Sequence, residues 1–330
     1  IKLAAAVIGA GKRVIDQVVQ YANDRKQFGQ SLHHFGAIKY KIAEMIIKNY
    51  ASESACYRVG QNIDDTIAEL KASGMNDSEA KLKGVEQFAI ECALLKVHGS
   101  ETLDYSVDEG VQIYGGMGFS AEAPMDRAYR DSRINRIFEG TNEINRLLAV
   151  GTVIKRAMKG EIELMPAAMA VGKEILGVPE FSTDVPDGIF GKEYKVIANA
   201  KKAILMSAGA ALQKFTTEIE HQQEILMGIS DMMIEVYVAE SALARVDKLV
   251  QRDGEEKHQI AKECAVVYLH EAIEKVSQAG REVIMGFAKG DELNVLLMGL
   301  KRFTKIDPYN LIESRRKIAE AAIRKNGYIF

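Results

Sequence analysis

A long seam of apolar residues in the C-terminal part of the chain is the feature that most constrains its fold. The apolar positions are separated alternately by four and three residues, as Ile225, Ile229, Met232, Val236, Ala239, Leu243, Val246 and Val250. This spacing keeps one face of a helix apolar over many turns, as in helical bundles. Alternating β-branched residues joined by short turns, which would indicate strands, are nearly absent. The sequence therefore predicts an all-α protein.

Local signals predict where further helices begin. Asn76 and Glu79 have the spacing of a capping box. We expect the helix after them to continue to Gly99, where the missing side chain permits close contact with another helix. Asp307 before Pro308 predicts a second N-cap, because proline is favoured in the first turn of a helix.

Prolines divide the chain into two helical regions. Three of the five prolines lie close together with several glycines, at Pro166, Pro179 and Pro186. Proline removes an amide donor and blocks helix continuation, so residues 161–190 are predicted to form an irregular linker. The expected organisation is one helical bundle over residues 1–160 and a second over residues 191–330.

Charge and cysteine content exclude several classes of function. The chain has 46 acidic and 43 basic residues, a net charge of −3. A protein that follows a phosphate backbone needs a clear basic excess, so no nucleic-acid partner is predicted. Cys56, Cys92 and Cys264 are far apart and lack metal-ligand spacing, so we expect reduced thiols and no metal site.

The stretch from Asp24 to Gly29 ends a predicted helix in charged residues and a glycine. One interpretation is a solvated helix end with a glycine stop. The other is an anion site, because the planar guanidinium of Arg25 matches the geometry of phosphate oxygens. The residues alone favour the first interpretation.

The stretch from Gln112 to Phe119 contains three glycines in four positions, Gly115, Gly116 and Gly118. Glycine allows positive φ and lets a ligand lie against the main chain. A helix end followed by a loop explains one glycine easily but three less well.

Glu139 lies between Phe138 and Gly140, just before a helix whose predicted cap is Thr141. A carboxylate removed from water becomes a stronger base, because burial disfavours its charged form. Alternatively, Glu139 only stabilises the positive end of the next helix. Spacing alone does not decide between a catalytic base and this structural role.

Taken together, these motifs resemble the acyl-CoA dehydrogenase family over residues 1–155, in the same order and spacing. In that family an N-terminal helical domain and a small β domain precede a C-terminal four-helix bundle. FAD lies between these domains and a neighbouring subunit, which implies a homodimer or homotetramer here.

The resemblance assigns roles to two groups of residues that would contact FAD. Arg25 and Gln27 match positions that reach FAD across the subunit interface, with Phe28 packing nearby. Gln112, together with the glycines Gly115 and Gly116, matches the motif that lies along the FAD of the partner subunit.

The same resemblance makes Glu139 the catalytic base and places Thr141 and Glu143 against the FAD of their own subunit. It implies oxidation of an acyl-CoA thioester to a trans-2-enoyl-CoA, with electron-transfer flavoprotein as the oxidant. Residues 218–246 are similar to the C-terminal extension of very-long-chain acyl-CoA dehydrogenases, which implies a dimer and possible peripheral membrane contact.

The chain begins at Ile1 and shows no counterpart of the family's N-terminal and β domains. We therefore expect a part of a longer enzyme that is inactive alone, in a bacterial cytoplasm, in a mitochondrial matrix or at the inner-membrane surface. The competing hypotheses are a helical assembly or scaffold protein with the same fold, and an oxidase that passes electrons to oxygen.

Overall fold

A computed structural model describes residues 1–177 and 188–330 and is almost entirely helical there. The N-terminal region contains α1 (Lys2–Asp24), α2 (Gly36–Ala72), α3 (Asp77–Gln87), α4 (Ala89–Tyr114), α5 (Gly116–Phe119), α6 (Pro124–Arg133) and α7 (Asn142–Met158). The rest contains α8 (Leu164–Leu176), α9 (Gly191–Phe215), α10 (Gln223–Asp253), α11 (Gln259–Met285), α12 (Gly290–Phe303) and α13 (Leu311–Lys325). A short antiparallel hairpin pairs β1 (Lys26–Gln27) with β2 (Gln30–Ser31). The predicted all-α fold is confirmed.

The apolar seam lies along α10 and forms the centre of the C-terminal region. All of its members from Ile225 to Val246 are buried, and Val250 is partly buried. This helix packs most extensively against α11, and it also contacts α2 and α7 of the N-terminal region. A continuous apolar core therefore joins the two regions. For example, the ring centroids of Tyr50, in the N-terminal region, and Phe330, in the C-terminal region, lie 4.4 Å apart.

The stretch predicted to be an irregular linker contains a helix. Residues 164–176 form α8, which packs against α9. Pro166 lies in the first turn of α8, where the amide groups have no helical partner, so proline is compatible with the helix. Pro179 and Pro186 lie outside the described residues.

Two predicted helix boundaries are also corrected. The helix that starts after Asn76 ends at Gln87, and α4 starts at Ala89 instead of continuing α3. The Asn76 cap itself is confirmed, because its Oδ1 accepts from the Glu79 amide at 3.0 Å. Asp307 is not an N-cap. Asn310 caps α13, because residues 305–310 have no regular secondary structure and the helix begins at Leu311.

Close helix contact at Gly99 is confirmed. A Cβ atom there would lie 3.0 Å from Cγ2 of Val7 on α1, so the glycine brings α1 and α4 together. None of the described helices combines the length and apolar character needed to cross a membrane.

Candidate active site

The ends of α1 and α4 lie side by side and bring two predicted cofactor segments together. The rings of Tyr21 and Tyr114 stack at a centroid distance of 3.9 Å. The Tyr21 hydroxyl donates to the Tyr114 carbonyl at 3.2 Å, and the Tyr114 hydroxyl donates to the Gln17 carbonyl at 3.2 Å. Tyr21 accepts from the Arg25 amide, and Tyr114 directly precedes Gly115. The two motifs are therefore neighbours.

The first of these segments is a tight hairpin rather than an open loop. Phe28 and Gly29 form its two-residue turn, with φ of 52° and 82°. Two successive positive φ angles match the twist of a two-residue hairpin. This turn leaves the Phe28 ring 92% exposed. Arg25 and Gln27 are exposed as well, so the predicted contact residues all face outward from this chain.

The glycine-rich segment uses its glycines for two different reasons. Gly115 ends α4 with φ of 62°, and an added Cβ at Gly115 or Gly116 would meet no atom within 4 Å. A Cβ at Gly118 would instead clash with the backbone oxygen of Val111. Gly118 is therefore required for packing, whereas the main chain of Gly115 and Gly116 is open to a ligand. Gln112 is exposed beside them.

Glu139 occupies an unusual backbone conformation before α7. Its φ is 53°, and that of Gly140 is 80°. Such a conformation is disfavoured for a residue with a side chain and persists only where surrounding contacts fix it. The Glu139 carboxylate is exposed. The expected removal of this carboxylate from water is therefore not provided by this chain.

The loop around Glu139 is held through its carbonyl groups. Asn145 donates from Nδ2 to the carbonyls of Glu139, Gly140 and Thr141 at 3.3, 2.9 and 3.0 Å. Lys96, on α4, donates to the Gly140 carbonyl at 2.7 Å. Burial lowers the pKa of Lys96, although nearby carboxylates oppose that shift. These two side chains fix the strained turn.

The start of α7 supplies two further predicted contact residues. Thr141 caps the helix by accepting from the Ile144 amide at 3.3 Å, as predicted. The exposed Glu143 lies in the first turn. Hydrogen bonds from its own backbone amide and the Thr141 hydroxyl lower the pKa of the Glu143 carboxyl. Glu143 therefore remains an anionic acceptor at the helix N-terminus.

The structure separates the predicted residues into two groups. Arg25, Gln27 and the glycine-rich segment lie at the C-terminal end of α4. The Glu139 loop is bonded to Lys96, 16 residues before Gln112 on the same helix. With a rise of 1.5 Å per residue, the two groups are about 24 Å apart along α4.

Lys96 and Asn145 are residues of the candidate site that sequence reasoning missed. Lys96 interrupts an apolar run, between Leu95 and Val97, and it is only 5% exposed. A buried lysine needs compensating partners, so a cation within such a run is a signal worth following. Asn145 had no comparable signal, because its bonding depends on the positive-φ turn.

Comparison with known proteins places the fold and motifs in a family. Two family models, both described as the acyl-CoA dehydrogenase C-terminal domain, match residues 1–153 and residues 199–302. Together they span most of the chain. The chain belongs to the acyl-CoA dehydrogenase family.

Individual relatives extend this similarity over nearly all of the chain. A probable acyl-CoA dehydrogenase of Bacillus subtilis is 40% identical over 328 residues, 99% of this chain and 55% of that protein. Human very long-chain specific acyl-CoA dehydrogenase is 31% identical over 276 residues, 74% of this chain and 37% of that protein. The crystal structure of a Bacillus anthracis acyl-CoA dehydrogenase complexed with FAD superposes with a TM-score of 0.94 at 39% identity. It covers 100% of this chain, which spans 56% of that one. The chain thus spans about half the length of its Bacillus relatives.

Proposed function

We propose that this chain is the C-terminal part of an FAD-dependent acyl-CoA dehydrogenase that oxidises an acyl-CoA thioester to a trans-2-enoyl-CoA. The observation that carries the proposal is the Glu139 turn. Glu139 has an exposed carboxylate and a backbone with positive φ. Asn145 and Lys96 hold this backbone by donating hydrogen bonds to three successive carbonyls, those of residues 139–141. A carboxylate that only stabilised a helix end would not need this support.

In the proposed reaction, Glu139 removes the α-proton of the thioester. Hydrogen bonds to the thioester carbonyl would stabilise the developing enolate, as in an oxyanion hole. When substrate covers the exposed Glu139 carboxylate, loss of water would disfavour the charged form and make the carboxylate a stronger base. FAD would supply the acceptor for the β-hydride, which no amino-acid side chain provides.

The described residues fit a flavin nucleotide. The exposed guanidinium of Arg25 suits a phosphate group, and the 92% exposed Phe28 ring offers an apolar surface. The main chain at Gly115 and Gly116 is open to close approach, with Gln112 exposed beside it. In the second group, Thr141 and Glu143 at the N-terminus of α7 would supply polar side chains to the flavin nucleotide.

The separation of these two groups supports a homo-oligomer. One group lies about 24 Å from the other along α4, and each exposes its own contact residues. In a homodimer or homotetramer, the hairpin and glycine segment would contact the FAD of a partner subunit. The Glu139 loop would contact the FAD of its own subunit.

Further parts of the proposal concern the acyl chain, the oxidant and the location. Similarity to a very long-chain enzyme over 74% of the chain supports a long-chain acyl-CoA. Electron-transfer flavoprotein would accept the electrons. Exposed Met165 and Met169 on α8 support peripheral membrane contact. The Bacillus relatives support a bacterial cytoplasmic enzyme.

The test is Glu139→Gln in the full-length protein, with exposed Glu256→Gln as the matched control. The flavin absorption spectrum is recorded before and after palmitoyl-CoA is added without oxygen. We expect flavin to remain bound to the Glu139 variant and the bleaching rate to fall by between about 10² and 10⁴. The control should bleach at the wild-type rate. Unchanged bleaching in the Glu139 variant would refute Glu139 as the base and favour a different base, whereas a wild-type protein whose flavin does not bleach would favour a helical scaffold.

A further inference from the structure

An arginine on α7 connects the base-carrying loop to the C-terminal region. The side chain of Arg146 is only 12% exposed and is bonded on two sides. Its Nη1 and Nη2 donate to the two carboxylate oxygens of Glu101 at 2.8 and 3.1 Å. Its Nε donates to Oδ1 of Asp231, on α10, at 2.6 Å. The guanidinium fork is therefore fixed by one carboxylate from each region.

Glu101 continues the connection towards the loop. Its Oε1 accepts from Nδ2 of Asn142 at 3.1 Å, and the same amide nitrogen donates to Ser100 at 3.0 Å. Oδ1 of the buried Asn142 accepts from Lys96 at 2.8 Å. Lys96 also donates to the Gly140 carbonyl, next to Glu139. Hydrogen bonds thus lead without interruption from α10 to the base-carrying turn.

The guanidinium at the centre of this path is shielded although its partners are not, because the side chain of Arg146 is 12% exposed and those of Glu101 and Asp231 are each 42% exposed. Burial acts to lower the pKa of Arg146, but Glu101 and Asp231 raise it above its ordinary value. Burial raises the pKa of Asp231, although Arg146 opposes that shift. Among the side chains of the described residues, only Arg146 donates to the Asp231 carboxylate. Loss of Asp231 would therefore free one side of the guanidinium.

We propose that Asp231 is a positioning residue for proton abstraction and acts on Glu139 through the hydrogen-bonded path of Arg146, Glu101, Asn142 and Lys96. This inference rests on the proposed role of Glu139. It gives α10 of the C-terminal region a part in catalysis, although α10 carries no motif that contacts substrate or flavin. Reaction geometry is sensitive to small displacements, since a misplacement of about 1 Å can cost roughly 100-fold in rate.

The experiment compares variants of the full-length flavoprotein under anaerobic single-turnover conditions with palmitoyl-CoA. Asp231→Ala removes the acceptor, whereas Asp231→Asn retains an oxygen in the same place. Glu240→Ala is the matched control. Glu240 also lies on α10 and pairs across the two regions with Arg58 at 3.1 Å, but it lies outside the path to Glu139.

We expect Asp231→Ala to lower the limiting rate of flavin reduction roughly tenfold while substrate affinity and flavin content stay close to wild type. The kinetic isotope effect with α-deuterated palmitoyl-CoA should rise, because proton abstraction becomes more rate-limiting. Asp231→Asn should recover most of the rate, and Glu240→Ala should match wild type. A general loss of stability would not raise the isotope effect.

The proposal is overturned if Asp231→Ala reduces flavin at the wild-type rate, or if Glu240→Ala slows it equally. Should Asp231→Ala fail to fold, Arg146→Lys decides instead, because it keeps the charge but loses the fork. A wild-type rate and isotope effect in that variant would also overturn the proposal. Failure of the base assignment is distinguished by Glu139→Gln, which would then still bleach.

Discussion

The phenylalanines of the two helical regions are distributed in opposite ways. In residues 1–160, Phe28 is 92% exposed and Phe119 is 87% exposed, and no phenylalanine of that region is buried. In residues 188–330, Phe190, Phe287 and Phe303 are buried. The N-terminal region thus leaves two phenylalanine rings almost fully exposed, whereas the C-terminal region buries three of them.

This difference predicts that the N-terminal region contacts a ligand or another part of the protein. Exposed aromatic rings next to positive-φ turns are costly unless another surface covers them. Phe28 and Phe138 both lie within one residue of such turns, at Gly29 and Glu139. We expect the C-terminal region instead to act on the chemistry indirectly, through packing and the proposed contact of Asp231 with Arg146.

The largest expected effect tests the core of the C-terminal region. Phe303→Ala should lower the free energy of unfolding by about 3–5 kcal/mol, because it removes a ring that is 1% exposed and leaves a cavity. Denaturant unfolding measures the change. A loss below 1 kcal/mol would mean that the site collapses around the smaller residue, which would weaken the contrast between the regions.

The next effect tests the polar support of the Glu139 loop. Lys96→Met keeps the packing volume but removes the donors to Gly140 and Asn142. We expect the free energy of unfolding to fall by about 2 kcal/mol, since hydrogen bonds to charged groups contribute that order of stability. The control, Lys155→Met, changes an exposed lysine on α7. Equal effects of both variants would contradict a bracing role for Lys96.

A pH effect tests the contact between the regions. His98 on α4 accepts or donates at 2.7 Å to the Tyr268 hydroxyl of α11 and at 2.8 Å to Ser52. Burial, then the charge of Lys275, lowers the pKa of His98 to about 3. In the unfolded chain, His98 binds a proton below its ordinary pKa of about 6.5, whereas in the folded chain the buried His98 stays neutral. Stability should therefore fall as the pH drops from about 6.5 towards 3.

The measurement is the free energy of unfolding at several pH values in this window. We expect His98 to lower the free energy of unfolding by up to about 1.4 kcal/mol for each unit by which the pH falls. His98→Gln carries no titrating group there and should show a shallower decline, whereas exposed His221→Gln should follow the wild type. Parallel curves for all three proteins would show that His98 does not remain neutral in the fold.

The smallest effect completes the comparison of phenylalanines. Phe28→Ala should change the free energy of unfolding by less than about 0.5 kcal/mol, because the ring is 92% exposed. The same variant should lower flavin content if Phe28 packs near FAD. A stability loss as large as that of Phe303→Ala would break the contrast between exposed and buried rings.

Sequence patterns predicted the elements whose spacing is local. The α10 seam and the caps at Asn76 and Thr141 depend on residues three or four apart, and the structure confirms each. The helix α8 was not predicted, because Pro166 was interpreted as a helix breaker rather than as a first-turn residue. Asp307 was predicted as a cap but is not one, since it lies in a segment without regular secondary structure and the helix starts only after Asn310.

The candidate site was predicted as a set of motifs rather than as an arrangement. Residues 24–29 and 112–119 were found separately, and the Tyr21–Tyr114 stack that joins them connects residues 93 positions apart. The sequence left open whether Glu139 is removed from water, and in this chain it is exposed, because exposure depends on which surfaces surround a loop. No local pattern carries that information.

Sequence patterns were sufficient to predict the helical class and to identify the apolar seam and the motifs of the acyl-CoA dehydrogenase family. Periodicity and spacing are properties of neighbouring residues, so they can be read without the fold. Three contacts became visible only in the tertiary structure. The helix α10 packs against the N-terminal region, Lys96 and Asn145 hold the Glu139 turn, and Asp231 bonds to Arg146. These contacts join residues that are distant in the chain, and their geometry is set by how whole helices pack.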